Sequence, residues 1–265
     1  MDFSPRTAIV TGSDSGIGRA TAVALAQAGM DVGITWLDDE DGAEATAEEV
    51  RAAGRVAHTG QLDTTRLDEC GDAVDRLADA LGGLDVFVNN AGTGNTAPLL
   101  ELTLEQWRHT VATDLDGAFV CMQRAARRMV AGGRGGRVIA VTSVHEHQPR
   151  VGMAAYTSAK HGLGGLVKSM ALELGQHGIT VNAVAPGEIS TPMNDQTDVD
   201  PRTIERPGIP VRRPGDAWEM AAVITFLASS ASSYVTGASW VADGGMLLMG
   251  PHGGSHLVSD DWREA

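Results

Sequence analysis

Tyr156 and Lys160, four residues apart in the segment YTSAK, are the pair in this chain best suited to acid–base chemistry. Side chains at i and i+4 of a helix lie on one face, so the phenol and the ammonium point the same way. A free phenol titrates near about 10 and is a poor base at neutrality, and a cation held beside it favours the phenolate. Ser143 ends the apolar run VIAVTS, where its hydroxyl can hydrogen-bond a reacting oxygen. Taken alone, a Tyr-x-x-x-Lys pair is an ordinary feature of a helix surface and a serine at a strand end is equally common, so the elements that position them matter.

Those elements alternate. Short β-branched runs at 6–11, 31–36, 55–62, 84–89, 136–141, 179–185 and 238–242 read as strands. Ala-rich stretches of helical period fill 16–28, 41–53, 65–81, 103–130, 155–175 and 215–229. Such alternation predicts an α/β Rossmann fold, a doubly wound seven-stranded parallel sheet. No linker or repeat divides it, so residues 1–265 read as a single dinucleotide-binding and catalytic domain. Two stretches fall outside the pattern. Residues 190–214 carry five prolines beyond the carboxyl end of a strand and read as a substrate lid, and 246–265 form a C-terminal tail rich in Gly and His. Within the first strand-to-helix junction, TGSDSGIG places Gly12, Gly16 and Gly18 around Ser15 and Ile17. Glycine there permits a tight turn and close backbone approach, and the helix N-terminus offers N–H groups to a pyrophosphate.

The 265 residues include 43% hydrophobic ones, enough for a sizeable core, and the formal charge of −14 repels nucleic acid and anionic lipid. The two cysteines, Cys70 and Cys121, show no metal or disulfide spacing and fit a reducing compartment. An acid at position 2 and the lack of a long apolar segment argue against a secretory signal or a membrane span, so a cytoplasmic location is expected. His145, Glu146 and His147 lack a third and fourth ligand of matching spacing, so no metal is expected.

Four ordered motifs, TGSDSGIG at 11–18, NNAG at 89–92, Ser143 thirteen residues before YTSAK, and NAVAPG at 182–187, resemble the short-chain dehydrogenase/reductase family over nearly the whole chain. The likeness is greatest to bacterial glucose-dehydrogenase-like and 3-oxoacyl-reductase-like oxidoreductases. The resemblance implies hydride transfer between a secondary alcohol and a nicotinamide cofactor, with Tyr156 as acid/base, Lys160 lowering its pKa and holding the ribose, and Ser143 orienting the carbonyl. A fourth position, usually Asn, is Asp114 here, which implies a carboxylate supporting the proton relay and holding Lys160 cationic. For the cofactor, the resemblance counts Gly12, Gly16, Ile17 and Gly18 of the glycine loop among the binding residues, with Ser15 at the loop position that helps discriminate the ribose 2′ group. It gives Asp63 and Thr64 to adenine, Asn90, Ala91 and Gly92 to the ribose, and Pro186, Gly187, Ile189 and Thr191 to the nicotinamide end.

Trp36 stands where NAD enzymes of the family often carry Asp, and Leu37 where NADP enzymes carry a basic residue. Asp38 follows at once and opposes a 2′-phosphate, so NAD is favoured over NADP. Gly94, His145 and Met193 are expected in the substrate pocket. A small-molecule alcohol or ketone and a homotetramer packed through the helix LVKSMALEL are the implied partners. Within the enzyme class, the alternative is a 3-oxoacyl-thioester (acyl carrier protein) reductase using NADPH. Arg134 and Arg137 invite comparison with carrier-gripping cations, although a solvated turn is the plainer reading. A non-catalytic dinucleotide-sensing regulator is the alternative of another class, and the presence of Ser143, Tyr156 and Lys160 together argues against it.

Overall fold

The computed structural model describes residues 3–94, 96–194, 199–252 and 259. Parts of the expected lid (195–198) and tail (253–258 and 260–265) therefore lie outside the described residues.

Seven strands form one parallel sheet: β1 (Thr7–Val10), β2 (Asp31–Trp36), β3 (Ala57–Gln61), β4 (Val86–Asn89), β5 (Gly136–Val141), β6 (Ile179–Pro186) and, after two short strands described below, β9 (Ser239–Ala242). Their order is β3-β2-β1-β4-β5-β6-β9, the Rossmann arrangement. Every residue of β1, β4, β5 and β6 is buried, as expected of central parallel strands covered on both faces. Alternation along β1 sends Ala8 and Val10 to one face and Ile9 to the other. The first face is covered by α1 (Gly16–Gln27), α2 (Glu40–Ala52) and α7 (Ala217–Ala228) through Leu25, Val50 and Ile224. The second is covered by α3 (Leu67–Ala80), α5 (Gly117–Gly132) and α6 (Ala154–Leu174) through Leu77, Met122 and Leu163. Among the described residues no helix is long and apolar enough to cross a membrane.

The expected helix over 103–130 is divided. Helix α4 (Leu104–Val111) gives way to a widened π turn at Ala112–Asp116 before α5 continues. An extra residue in one turn leaves the apolar period nearly intact, so the sequence pattern does not betray it, yet it is the turn that carries Asp114. Gly117 follows because a Cβ there would lie 2.2 Å from the Thr64 carbonyl oxygen.

The segment 190–214 also has an unforeseen anchor. Two-residue strands β7 (Ile189–Ser190) and β8 (Gly215–Asp216) pair in parallel, clipping together the two ends of that excursion. Arg206 reinforces the base by donating to both carboxylate oxygens of Glu188 at 3.0 Å.

Candidate active site

The strand order reverses between β1 and β4, and a cavity of about 750 Å³ opens there beyond the carboxyl ends of the strands. Its floor on one side is the glycine loop. Gly12 sits at φ +59° and Gly16 at φ +54°, in the left-handed region. The Gly12 N–H donates to Thr35 Oγ1 at 3.0 Å, and Asn90 Nδ2 donates to the carbonyls of Thr11 and Gly12 at 3.0 and 2.8 Å. A Cβ on Gly18 would lie 2.0 Å from the Gly12 carbonyl oxygen, so the helix can lie against its own loop only with glycine here. Ser15, at the N-cap of α1, makes no side-chain cap, and no acid stands in the first turn. The N–H groups of that turn thus face the cavity with their dipole available to an anion. This bare backbone cradle fits the pyrophosphate of a dinucleotide.

Gly12, Ser15, Gly16, Ile17, Trp36, Leu37, Asp38, Thr64, Asn90, Ala91, Gly92, Pro186, Gly187, Ile189 and Thr191 all stand on the cavity wall. Gly18 and Asp63 do not. Gly18 serves packing, and the Asp63 carboxylate accepts from the backbone N–H and hydroxyl of Thr65 at 2.9 and 2.6 Å, which holds it below the usual carboxylate range.

At the β2 end the wall is acidic in a way only partly foreseen. Asp38 and Asp39 both stand on the wall, Asp39 also capping α2 by accepting from Gly42 N–H at 2.9 Å, and Asp14 of the glycine loop joins them. Burial raises the Asp14 carboxyl above its ordinary range. Its signal lay inside TGSDSGIG, as an acid in a loop otherwise of small residues.

Across the cavity, the ends of β5 and α6 bring Ser143, Tyr156 and Lys160 together. Ser143 Oγ accepts from the His145 N–H at 3.2 Å, which leaves its own hydroxyl hydrogen free to donate outward. Lys160 is 3% exposed, and its Nζ lies 5.3 Å from the centre of the Tyr156 ring and 3.5 Å from the Val141 carbonyl oxygen. Asp114, wholly buried, stands behind the wall: Oδ1 accepts from Thr93 N–H at 2.7 Å, and Oδ2, with no hydrogen-bond partner, faces Lys160 Nζ at 3.7 Å. Burial raises the Asp114 carboxyl, against the opposing pull of Lys160. Burial alone would lower Lys160, yet the charges of Asp114 and Tyr156 together hold it above the ordinary lysine value. The π turn aims Asp114 here, and a Cβ on Gly92 would come within 3.3 Å of both members of the pair. The arrangement can hold a cation under a phenol and aim a hydroxyl donor at the same space.

Gly94, His145 and Met193 line the remaining part of the wall, joined by Met153, Arg150 and Met246, which sequence reasoning missed. Met246 begins a short helical run, Met246–His252, whose Gly250 carbonyl accepts from Gln148 Nε2 at 3.3 Å. The start of the tail is thus part of the wall. The two histidines after Ser143 have separate partners: His145 Nδ1 meets the Gln148 carbonyl at 2.9 Å, and His147 Nε2 meets Ser239 Oγ at 3.0 Å. Of the two turn arginines, Arg134 is exposed, as a solvated turn would have it, and Arg137 is not. Arg134 pairs with the buried Asp85, and Arg137 is buried with its guanidinium 4.0 Å above the Phe3 ring.

Residues 12–247 match the family model described as enoyl-(acyl carrier protein) reductase. The uncharacterized oxidoreductase YohF of Escherichia coli (strain K12) is 51% identical over 246 residues, 93% of this chain and 97% of that protein. A 3-oxoacyl-[acyl-carrier-protein] reductase of Synechocystis is 37% identical over 93% of this chain and 98% of its own. The crystal structure of acetoin dehydrogenase YohF from Salmonella typhimurium superposes with a TM-score of 0.89 at 50% identity, covering 94% of this chain and 98% of that one. Motifs, sheet order and relatives agree: the chain belongs to the short-chain dehydrogenase/reductase family, and it is an oxidoreductase acting on CH–OH groups with NAD or NADP.

Proposed function

We propose that the protein interconverts a secondary alcohol and a ketone, with Tyr156 as the general acid/base. The observation that carries this reading is the buried Lys160 ammonium held by Asp114 beneath the Tyr156 ring. A bound nicotinamide ring supplies the hydride acceptor or donor. In the oxidative direction Tyr156 Oη takes the proton of the substrate hydroxyl, with the Lys160 ammonium as the fixed positive charge beside its ring. Ser143 donates its free hydroxyl hydrogen to the reacting oxygen and holds it in place. Asp114 keeps the lysine cationic. Tyr156→Phe is expected to bind cofactor normally and lose turnover by about a hundredfold or more. Retained turnover in that variant removes Tyr156 from the chemistry.

NAD is the favoured cofactor. Asp14 and Asp38 oppose a 2′-phosphate electrostatically, and the wall residues Trp36, Leu37 and Ser15 offer it no cation. Fluorescence titration with NADH and NADPH separates the two, and tighter NADPH binding defeats the electrostatic argument. A short substrate is supported by the half-identical acetoin dehydrogenase. The relatives named 3-oxoacyl-[acyl-carrier-protein] reductase favour a second reading, reduction of an acyl thioester with NADPH. Against it stand the net charge of −14, which would repel an acidic carrier, and the burial of Arg137 against Phe3, which leaves Arg134, paired with Asp85, as the one exposed cation of the two.

A homotetramer, built from one catalytic domain per chain, belongs to the same reading. Leu67, Leu115, Phe119 and Leu166 form an apolar groove between α3, α5 and α6, and Phe119 is 43% exposed in the isolated chain. Sedimentation as a monomer overturns it. Two buried free thiols support a reducing, cytoplasmic setting.

A further inference from the structure

Within the substrate half of the cavity, the proton on the His145 ring is placed by its neighbours. Its Nδ1 lies 2.9 Å from the Gln148 backbone carbonyl oxygen, which can only accept, so Nδ1 carries a hydrogen. Burial, together with the charges of Arg150 and His161, outweighs the Gln148 hydrogen bond and lowers the proton affinity of the ring, which favours its neutral form. Nε2, on the opposite edge, therefore presents a lone pair, and it has no partner among the described residues.

The ring cannot readily turn away. It meets Tyr156 edge to face, with centroids 6.0 Å apart and planes at 79°. The turn that carries it is anchored from below by Glu146, whose Oε2 accepts from Thr142 Oγ1 at 2.7 Å and Ser239 Oγ at 2.9 Å. Glu146 also packs on the bare backbone of Gly164, where a Cβ would lie 2.3 Å from Oε1. The substrate space is thus lined by two donors for the reacting oxygen, Ser143 and Tyr156, and by one fixed acceptor beside the phenol. Met153, Met193 and Met246 surround them with adaptable apolar wall.

We propose that His145 is a specificity-determining residue whose Nε2 accepts a hydrogen bond from a second hydroxyl on the carbon next to the reacting one, so that the substrates are short vicinal diols and α-hydroxy ketones. The inference rests on the assignment of Tyr156 and Ser143 to the reacting oxygen. The ring contact sets His145 next to Tyr156, and in a substrate whose reacting oxygen meets the phenol the carbon nearest this pair after the reacting one is the adjacent carbon. A 3-oxoacyl thioester has a methylene and then a carbonyl at those positions. Neither donates, and a carbonyl oxygen facing the Nε2 lone pair would leave two acceptors opposed.

The test compares substrates that differ only in that hydroxyl. With wild-type enzyme, kcat/KM for butane-2,3-diol over butan-2-ol, and for 3-hydroxybutan-2-one over butan-2-one, is expected to be about tenfold or more. His145→Phe keeps the ring against Tyr156 but has no acceptor, so the ratio falls toward one. His145→Gln restores an acceptor and recovers part of the ratio, a rescue that a merely structural role for His145 does not predict. Cofactor binding, read by NADH fluorescence, verifies that each variant is folded. Should the Phe variant fail that check, the wild-type ratio and the Gln variant decide. A wild-type ratio near one, or an equal fall for both members of a pair in His145→Phe, overturns the proposal while leaving the alcohol/ketone reading standing. Absence of turnover of all four compounds with either cofactor overturns that reading and this proposal together.

Discussion

Two buried acids flank the helix that carries Tyr156, and they are treated differently by their surroundings. Glu146 receives two hydroxyl donors on one carboxylate oxygen and sits against Gly164. Asp114 receives one backbone N–H on Oδ1, and its Oδ2 has only the Lys160 charge before it. Desolvating a carboxylate is costly unless its lone pairs are bonded, so an acid satisfied by hydroxyls needs no cation and acts as a brace. An acid left with an unbonded oxygen facing an ammonium instead governs the charge of that ammonium. On this view Glu146 holds the Ser143 to His147 turn in shape, and Asp114 tunes Lys160.

Removing the cation separates the two most sharply. Lys160→Met leaves Asp114 buried without a counter-charge, and we expect turnover to collapse and stability to fall by about 3–5 kcal/mol in urea denaturation at neutral pH. The loss should shrink in acid. The Asp114 carboxyl is already raised in the folded state, so the native protein binds its proton more readily than the unfolded chain, and stability declines as pH rises past the unfolded carboxyl value. Without Lys160 that slope steepens, and a second change, Asp114→Asn, should recover most of the stability. A Lys160→Met protein as stable as wild type, at all pH, would end the claim that the pair is charged.

Glu146→Ala is the next largest effect, a loss of about 2 kcal/mol from unpaired Thr142 and Ser239 hydroxyls and the space left beside Gly164. Rates should fall through misplacement of the Ser143 hydroxyl and the His145 ring, read as a rise in KM with a smaller change in kcat. If kcat alone collapses, Glu146 takes part in proton movement and the contrast with Asp114 fails.

The part of the site most readable in the sequence is the part made of backbone. Gly12, Gly16 and Gly18 announce themselves because the conformation and the close approach exclude every other residue, and the sheet follows from apolar runs that any central parallel strand requires. What depends on local competition for hydrogen bonds was hidden. Asp63 stands where the resemblance expects an adenine contact, but Thr65 two residues on claims its carboxylate. Asp39 uses one carboxylate oxygen to cap α2 while still standing on the wall, and Asp14 joins it and Asp38 there. Arg137 looked like a surface cation because the sequence does not show that Phe3 lies against it. The π turn that aims Asp114 hid inside an unbroken helical period, so the residue was identified without the geometry that explains it.

Asp114→Asn is the smallest change in rate near neutral pH and the most specific test of the contrast. An asparagine oxygen still accepts from the Thr93 N–H, so the wall behind Gly92 keeps its shape. Only the charge facing Lys160 is lost. In the wild-type protein that charge, with Tyr156, outweighs burial and holds the Lys160 ammonium above its ordinary range. A base whose folded value is raised contributes stability below its unfolded value and loses it as pH rises through the folded one, so the wild-type cation persists well into the alkaline range. In the Asn variant burial prevails, and the ammonium gives up its proton at lower pH. The alkaline limb of kcat/KM should therefore move to lower pH, while the rate at neutrality changes little and NADH binding below the limb is retained. Superimposable pH profiles for the two proteins would mean that Lys160 owes its charge to something other than Asp114, and the two buried acids would then be braces of one kind.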